Sequence, residues 1–146
     1  MSERSERARR NFEQGYNCAQ SVLCAFADEL GLTKEEAAKL ASSFGGGLGR
    51  QRELCGAVVA MSMIAGWRKG YAAPGDDTVK GAHYALIQQL SDRFRWKFGS
   101  IVCRDLLGEA GKDDSPVPSA RTAEYYRARF CAEFVAYAAE LADAVQ

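Results

Sequence analysis

The sequence predicts an all-α protein: one domain over residues 1–146, folded as a helical bundle of about five to seven helices with no sheet. Three observations carry that reading. Apolar residues recur at three- and four-residue intervals, no segment keeps the period-two alternation of a half-buried strand, and capping residues and glycines divide the chain at helix-sized intervals. With 146 residues, 47% of them hydrophobic, the chain can bury a core without disulfide support.

Residues 3 to 14 are charged with little apolar periodicity and read as a solvated first helix that stops at Gly15. Asn17 is an N-cap for a second helix, whose face of Ala19, Leu23, Phe26, Ala27 and Leu30 ends at Gly31. Thr33 and Glu36 have capping-box spacing, which predicts a short helix from Lys34 to about Ser42. A central helix is expected from about Glu53 to Arg68, apolar nearly all round, until Gly70 and the Ala73-Pro74-Gly75 turn end it. Asp76, Asp77 and Thr78 open a long helix with Val79, Ala82, Leu86, Leu90, Phe94 and Phe98 inward. Ser100 caps a short helix from Ile101 to Leu107, and the stretch EAGKDDSPVP, Glu109 to Pro118, is the one clear loop. A last helix from about Ala120 carries Ala123, Tyr126, Phe130, Phe134, Tyr137, Leu141 and Val145 on one face, with Cys131 flanking that stripe.

These elements are organised around the stretch SFGGGLGRQRELCGAVVAMSMIAG, which starts at Ser43. Gly45, Gly46, Gly47 and Gly49 make a continuous helix there implausible, because glycine loses the most backbone freedom on ordering. Gly45, Gly46, Gly47 and Arg50 are the candidate ligand-binding part of this loop. It lacks the GK[ST] ending of a P-loop and the spacing of a dinucleotide fingerprint, which sets a phosphate-binding reading aside. Arg50 and Arg52 are candidates to stabilise a thiolate or an anionic substrate, against the plainer reading of solvated loop arginines.

The five cysteines are the chemical question. They lie too far apart for a local CxxC motif or a zinc-knuckle pair, so any site has to be assembled by the fold. Cys18, Cys55 and Cys103 each fall in the first turn of a predicted helix, where unpaired N–H groups lower a thiol pKa from about 8.5 toward 7 or below. Cys55, with Arg50 and Arg52 nearby and small flanking residues, is expected to be the most acidic thiol. The bland alternative is a set of small core hydrophobes.

The 19 basic and 19 acidic residues cancel, so nothing announces a nucleic-acid partner, although 13 of the basic residues are arginine. A charged N-terminus and the lack of any long apolar run point to a cytoplasmic protein with no membrane insertion. An odd cysteine count argues against a secreted disulfide framework. His83, the single histidine, reads as a packed residue before a ligand or base. Trp67 and Trp96 read as core or interface, and no Ser-His-Asp triad can be assembled.

The run GYNCAQSVL from Gly15 to Leu23, FGGGLGR from Phe44 to Arg50, CGAVVA from Cys55 to Ala60, the F-x3-FG-x3-C-x3-LLG pattern from Phe94 to Gly108, and Cys131 together resemble the C_GCAxxG_C_C family of redox-active proteins. The resemblance covers nearly the whole chain. It places the four family cysteines on Cys18, Cys55, Cys103 and Cys131, with Cys24 outside the motif, and it implies a mostly helical fold, a redox role and an association with transporters. The chain departs from the motif at Ala60, where the family has glycine.

The leading expectation is thiol/disulfide chemistry at Cys55, Cys18, Cys103 and Cys131, acting on a redox partner or a small thiol or disulfide substrate, as a thiol-disulfide oxidoreductase would. The alternative from another class is an iron-sulfur cluster or zinc ion held by the same four cysteines. A third is a transporter-associated binding module with incidental cysteines; a homo-oligomer stays open. Both chemical readings require the four motif cysteines to gather in one site, with Cys24 outside it.

Overall fold

A computed structural model describes all residues, 1–146. It is all-α, with nine helices where the sequence predicts about five to seven, and with no sheet; the sole β-type pairing is an isolated antiparallel bridge between Leu54 and Val102. The surplus arises because two expected helices are each broken in two. The chain from Asn17 to Leu30 forms α2 (Cys18–Cys24) and α3 (Ala27–Leu30). At the break, the N–H groups of Ala25 and Phe26 tighten to i−3 bonds, on Val22 and Leu23. That turn frees the Ala25 carbonyl to accept from Arg4 Nη1 at 2.8 Å.

The C-terminal stretch likewise divides into α8 (Ala123–Ala128) and α9 (Cys131–Asp143), because Arg129 takes an extended backbone, φ −135° and ψ 139°. Phe130, expected on the buried stripe, is therefore 64% exposed, and Ala123 is exposed too. The break also moves Cys131 from the flank of a long helix to the first residue of a new one.

α1 (Glu3–Glu13) is less solvated than its charge predicts. Its buried face is Ser5, Ala8, Asn11 and Phe12, packed against α9 and α2. Two of those four are polar, which hides the face from an apolar-periodicity reading, and each is satisfied: Ser5 Oγ donates to the Ala136 carbonyl at 2.7 Å and Asn11 Nδ2 to that of Ser21 at 3.1 Å. α4 (Lys34–Ala41) opens with the expected Thr33–Glu36 capping box.

α5 (Gly56–Lys69) starts three residues later than predicted, since the preceding segment pairs with another part of the chain. Cys55 N–H donates to the Ile101 carbonyl and Cys103 N–H to that of Glu53, at 2.9 and 2.6 Å. α6 (Asp77–Phe98) has the predicted length, yet it buries only Leu90, Ser91 and Phe94. Val79 and Ala82 are exposed, so the N-terminal half stands away from the bundle instead of packing along its whole face. α7 (Cys103–Leu107) begins two residues past Ile101, and Ser100 Oγ accepts from Val102 N–H at 2.9 Å without being the N-cap. The first part of the expected loop, from Glu109, winds into a 3-10 segment, Gly108–Lys112.

The core joins α1, α2, α4, α5 and α9, and Phe94 and Phe98 extend it by stacking on Phe134 and Tyr137 of α9. Arg68, at the end of α5, holds three elements together. Its guanidinium pairs with Glu29 of α3 and Asp143 of α9, and caps the α9 carbonyls of Ala142 and Asp143. Trp67 and Trp96 are on outer faces, 59% and 89% exposed, which removes them from the core. No helix is long and apolar enough to cross a membrane.

Candidate functional site

Each motif cysteine stands at the start of a helix. Cys18, Cys103 and Cys131 are the first residues of α2, α7 and α9, and Cys55 is the N-cap of α5. Local sequence sets each position. Asn17 accepts from Gln20 N–H while Gln20 Oε1 accepts from Asn17 N–H, a capping box that fixes where α2 begins. Cys103 is aligned by the bonds its segment makes with residues 52 to 55, and Cys131 by the break at Arg129 and Phe130.

The glycine loop packs these starts together. Gly56 lies against the Phe44 carbonyl and the α2 backbone: a Cβ there would stand 2.6 Å from Phe44 O and 3.1 Å from Ala19 N. Gly47, with φ 72°, is pressed against Cys103, and a Cβ there would meet the Cys103 Cβ at 2.7 Å. Leu48, Arg50 and Arg52 also adopt positive φ, at 69°, 66° and 63°, a strained conformation for non-glycine residues. The strain has visible compensation. Arg50 donates to the carbonyls of Ser115 and Val117 and to Ser119 Oγ, while Arg52 donates to Asp113 O at 2.9 Å and approaches Cys103 Sγ at 3.8 Å.

A cavity of about 410 Å³ opens where these elements meet. Cys18, Cys103 and Cys131 line it, together with Gly45, Gly46 and Arg50 of the loop; Gly47 lies beneath, against Cys103. Cys55 does not reach the cavity. It lies behind, close enough to Cys18 and Cys103 for their charges to be felt. Cys24 is apart from this group, at the far end of α2, with its thiol on the Lys34 carbonyl at 3.5 Å. All five are free thiols. Two larger grooves, of 540 and 560 Å³, flank His83 near α5 and α6 and contain no cysteine.

Cys18 and Cys131 are immediate neighbours. The Cys18 thiol is held well above the ordinary thiol range, first by the Cys131 thiol beside it and then by burial, against the pull of Arg121 and its own backbone N–H. Burial raises Cys103 as well, with Arg52 opposing. Cys55 is a correction to the expectation from sequence. Burial and the proximity of Cys18 push it strongly upward, and the N–H groups of Val58 and Ala57 at the head of α5 offset only part of that. Arg50 and Arg52 give no help there, because their guanidiniums are committed to the Asp113–Ser119 segment and to Cys103.

Three residues at the cavity carried no signal in the sequence: Arg121, Tyr125 and Arg129. All three lie in or beside α8, ahead of the start of α9 at Cys131. Arg121 bridges the Phe12 and Tyr16 carbonyls at 3.0 Å each, and Arg129 lies over the Tyr125 ring at 4.1 Å. Ala60 is fully buried inside α5 and absent from the cavity wall, so its methyl group takes part in helix packing and leaves the cavity unnarrowed. No three His, Cys, Asp or Glu side chains converge in an arrangement that would hold a shared metal ion.

Fold and site together define an all-α thiol protein in which cysteines distant in sequence meet at converging helix starts. The chain belongs to the C_GCAxxG_C_C family, described as putative redox-active proteins, whose profile matches residues 16–145. Neither a curated protein nor a solved structure matches it.

Proposed function

We propose that the protein is a two-thiol redox protein in which Cys131 and Cys18 exchange with a disulfide substrate admitted by the cavity. The observation that carries this reading is the pairing of these two thiols at the cavity wall, each on the first residue of a helix. Cys131 is the attacking sulfur in this scheme, since it heads the longer helix, whose N–H groups favour developing negative charge.

Cys131 gives its proton to water, and its thiolate attacks to form a Cys131–substrate disulfide and break the substrate S–S bond, while the departing thiolate takes the proton that Cys18 gives up. The Cys18 thiolate then attacks Cys131 Sγ, and the second substrate thiolate leaves and is protonated from water. Two electrons pass to the substrate, two substrate thiols are released, and a Cys18–Cys131 disulfide remains for an external dithiol to reduce. Closing it brings the sulfurs to about 2.05 Å.

Mild oxidation of the reduced protein followed by peptide mapping without reductant tests this. A Cys18–Cys131 crosslink is expected, absent in Cys131→Ser and retained in Cys24→Ser. Oxidation that leaves both residues as thiols, or pairs neither with the other, defeats the proposal.

A further inference from the structure

The cavity wall has an unusual charge composition. It carries four arginines, Arg50, Arg52, Arg121 and Arg129, and no aspartate or glutamate. The chain as a whole has 19 basic and 19 acidic residues, so this concentration is local and does not reflect a basic protein. Only Arg50 has a carboxylate within ion-pair reach, Asp113 at 3.4 Å, and that carboxylate is exposed on the outer side.

The other three are held by neutral groups. Arg52 Nε donates to a backbone carbonyl, and Arg121 donates to two carbonyls while its guanidinium lies over the Phe12 and Tyr125 rings at 4.4 and 5.0 Å. Such contacts fix a guanidinium and leave its charge uncompensated. Arg129 adds a second, independent sign: its Nε is buried with no hydrogen-bond partner. A buried unsatisfied donor on a cation is costly, and a bound acceptor would remove that cost.

Resting on the thiol reading above, we infer that the cavity selects a small anionic disulfide, an organic molecule whose carboxylate or sulfonate groups are held by Arg121 and Arg129 while its S–S bond lies beside Cys131. The volume suits it, since a space of about 410 Å³ falls in the range of small-ligand sites. Preformed guanidiniums need little reorganisation on binding, and their fork matches a carboxylate in a way a lysine would not. The same positive wall would steady the substrate thiolates as they leave.

The test uses three symmetric probes on the reduced full-length protein: 3,3′-dithiodipropionate, neutral bis(2-hydroxyethyl) disulfide and cationic cystamine. Each oxidation rate is divided by the rate of the same probe with a free small thiol, which removes intrinsic reactivity. The anionic probe should lead the neutral one by about tenfold at low salt, with the advantage shrinking as salt rises. Arg129→Gln should lose most of that advantage, and Arg129→Lys should retain part of it, with circular dichroism confirming that both variants fold. The unreactive thioether 3,3′-thiodipropionate, followed by calorimetry, reads the anion site without any thiol step and should bind wild type more tightly than Arg129→Gln. Normalised rates equal for neutral and anionic probes, with no thioether binding, would overturn anion selection and leave the thiol reading standing. No oxidation by any probe, with the thioether still bound, would overturn the thiol reading and the disulfide substrate with it.

Discussion

The same chemical change, glycine to alanine inside a helix, should act with opposite sign at two positions of this protein. Alanine is favoured over glycine in a helix by up to about 1 kcal/mol, because it restricts the unfolded chain. At Gly81, exposed in α6 with nothing within 4 Å of an added Cβ, only that term operates. Gly81→Ala should therefore stabilise by about 0.5 to 1 kcal/mol. At Gly56 the added Cβ would stand 2.6 Å from the Phe44 carbonyl oxygen, 3.1 Å from Ala19 N and 3.2 Å from Ala19 Cβ. Two of the three atoms are backbone, so no side chain can rotate away, and separating α2, α5 and the glycine loop costs about 1 to 3 kcal/mol. Overpacking wins. The net loss should be about 1.5 kcal/mol, or about 3 to 6 °C in melting temperature for a chain of this size. The displacement also moves Ala19, next to Cys18, so formation of the Cys18–Cys131 crosslink should slow in Gly56→Ala and not in Gly81→Ala. Thermal unfolding of the reduced proteins reads the first effect and timed oxidation the second. A Gly56→Ala protein as stable as wild type would refute the close-packing account of the cysteine site.

Two further outcomes follow from charge. Because burial raises the Cys55 thiol above its unfolded value, folded Cys55 keeps its proton where the unfolded chain has lost it; the unfolded state then binds fewer protons, and stability falls as pH rises past about 8.5. Cys18, Cys24 and Cys103 are raised in the same direction, so Cys55→Ala should make the alkaline decline in denaturant-measured stability shallower without abolishing it, and an unchanged slope would contradict the buried-thiol assignment. Arg68→Ala should cost about 2 kcal/mol in urea unfolding, the scale of lost hydrogen bonds to a charged group, and Arg68→Lys should recover only part, since one ammonium cannot reach Glu29, Asp143 and the α9 carbonyls together. Full recovery by lysine would show that net charge, and not the fork, holds α3, α5 and α9.

The helical class, the capping boxes at Asn17 and Thr33 and the length of α6 were legible because each depends on neighbours within one or two turns. What escaped the sequence depends on distant partners. The break at Ala25 and Phe26 leaves a carbonyl for Arg4 to bond, and the late start of α5 comes from pairing with residues 101 to 104. The break before Cys131 falls inside a stripe of good helical periodicity, so spacing alone predicts continuity. The cysteines could be picked out by their flanking residues, whereas Arg121 and Arg129 look like ordinary surface arginines until the fold turns them toward the cavity.

Cys55 shows how two physical terms compete at a helix start. The potential at one helix N-terminus contributes at most about 1 to 2 kcal/mol toward a thiolate, whereas full burial can shift a pKa by several units the other way. At Cys55 the thiol is buried, no arginine reaches it, and burial prevails. At the cavity wall the helix starts of Cys18, Cys103 and Cys131 share their space with guanidiniums. Arg52 approaches Cys103, and Arg121 lowers the cost of ionising Cys18. Arg50 and Arg52 keep positive φ while one guanidinium bonds Ser119 of the cavity wall and the other approaches the Cys103 thiol, contacts that compensate the backbone strain. Cys55 is thus a packing residue behind the cavity wall, and the exchange proposed above falls to Cys18 and Cys131.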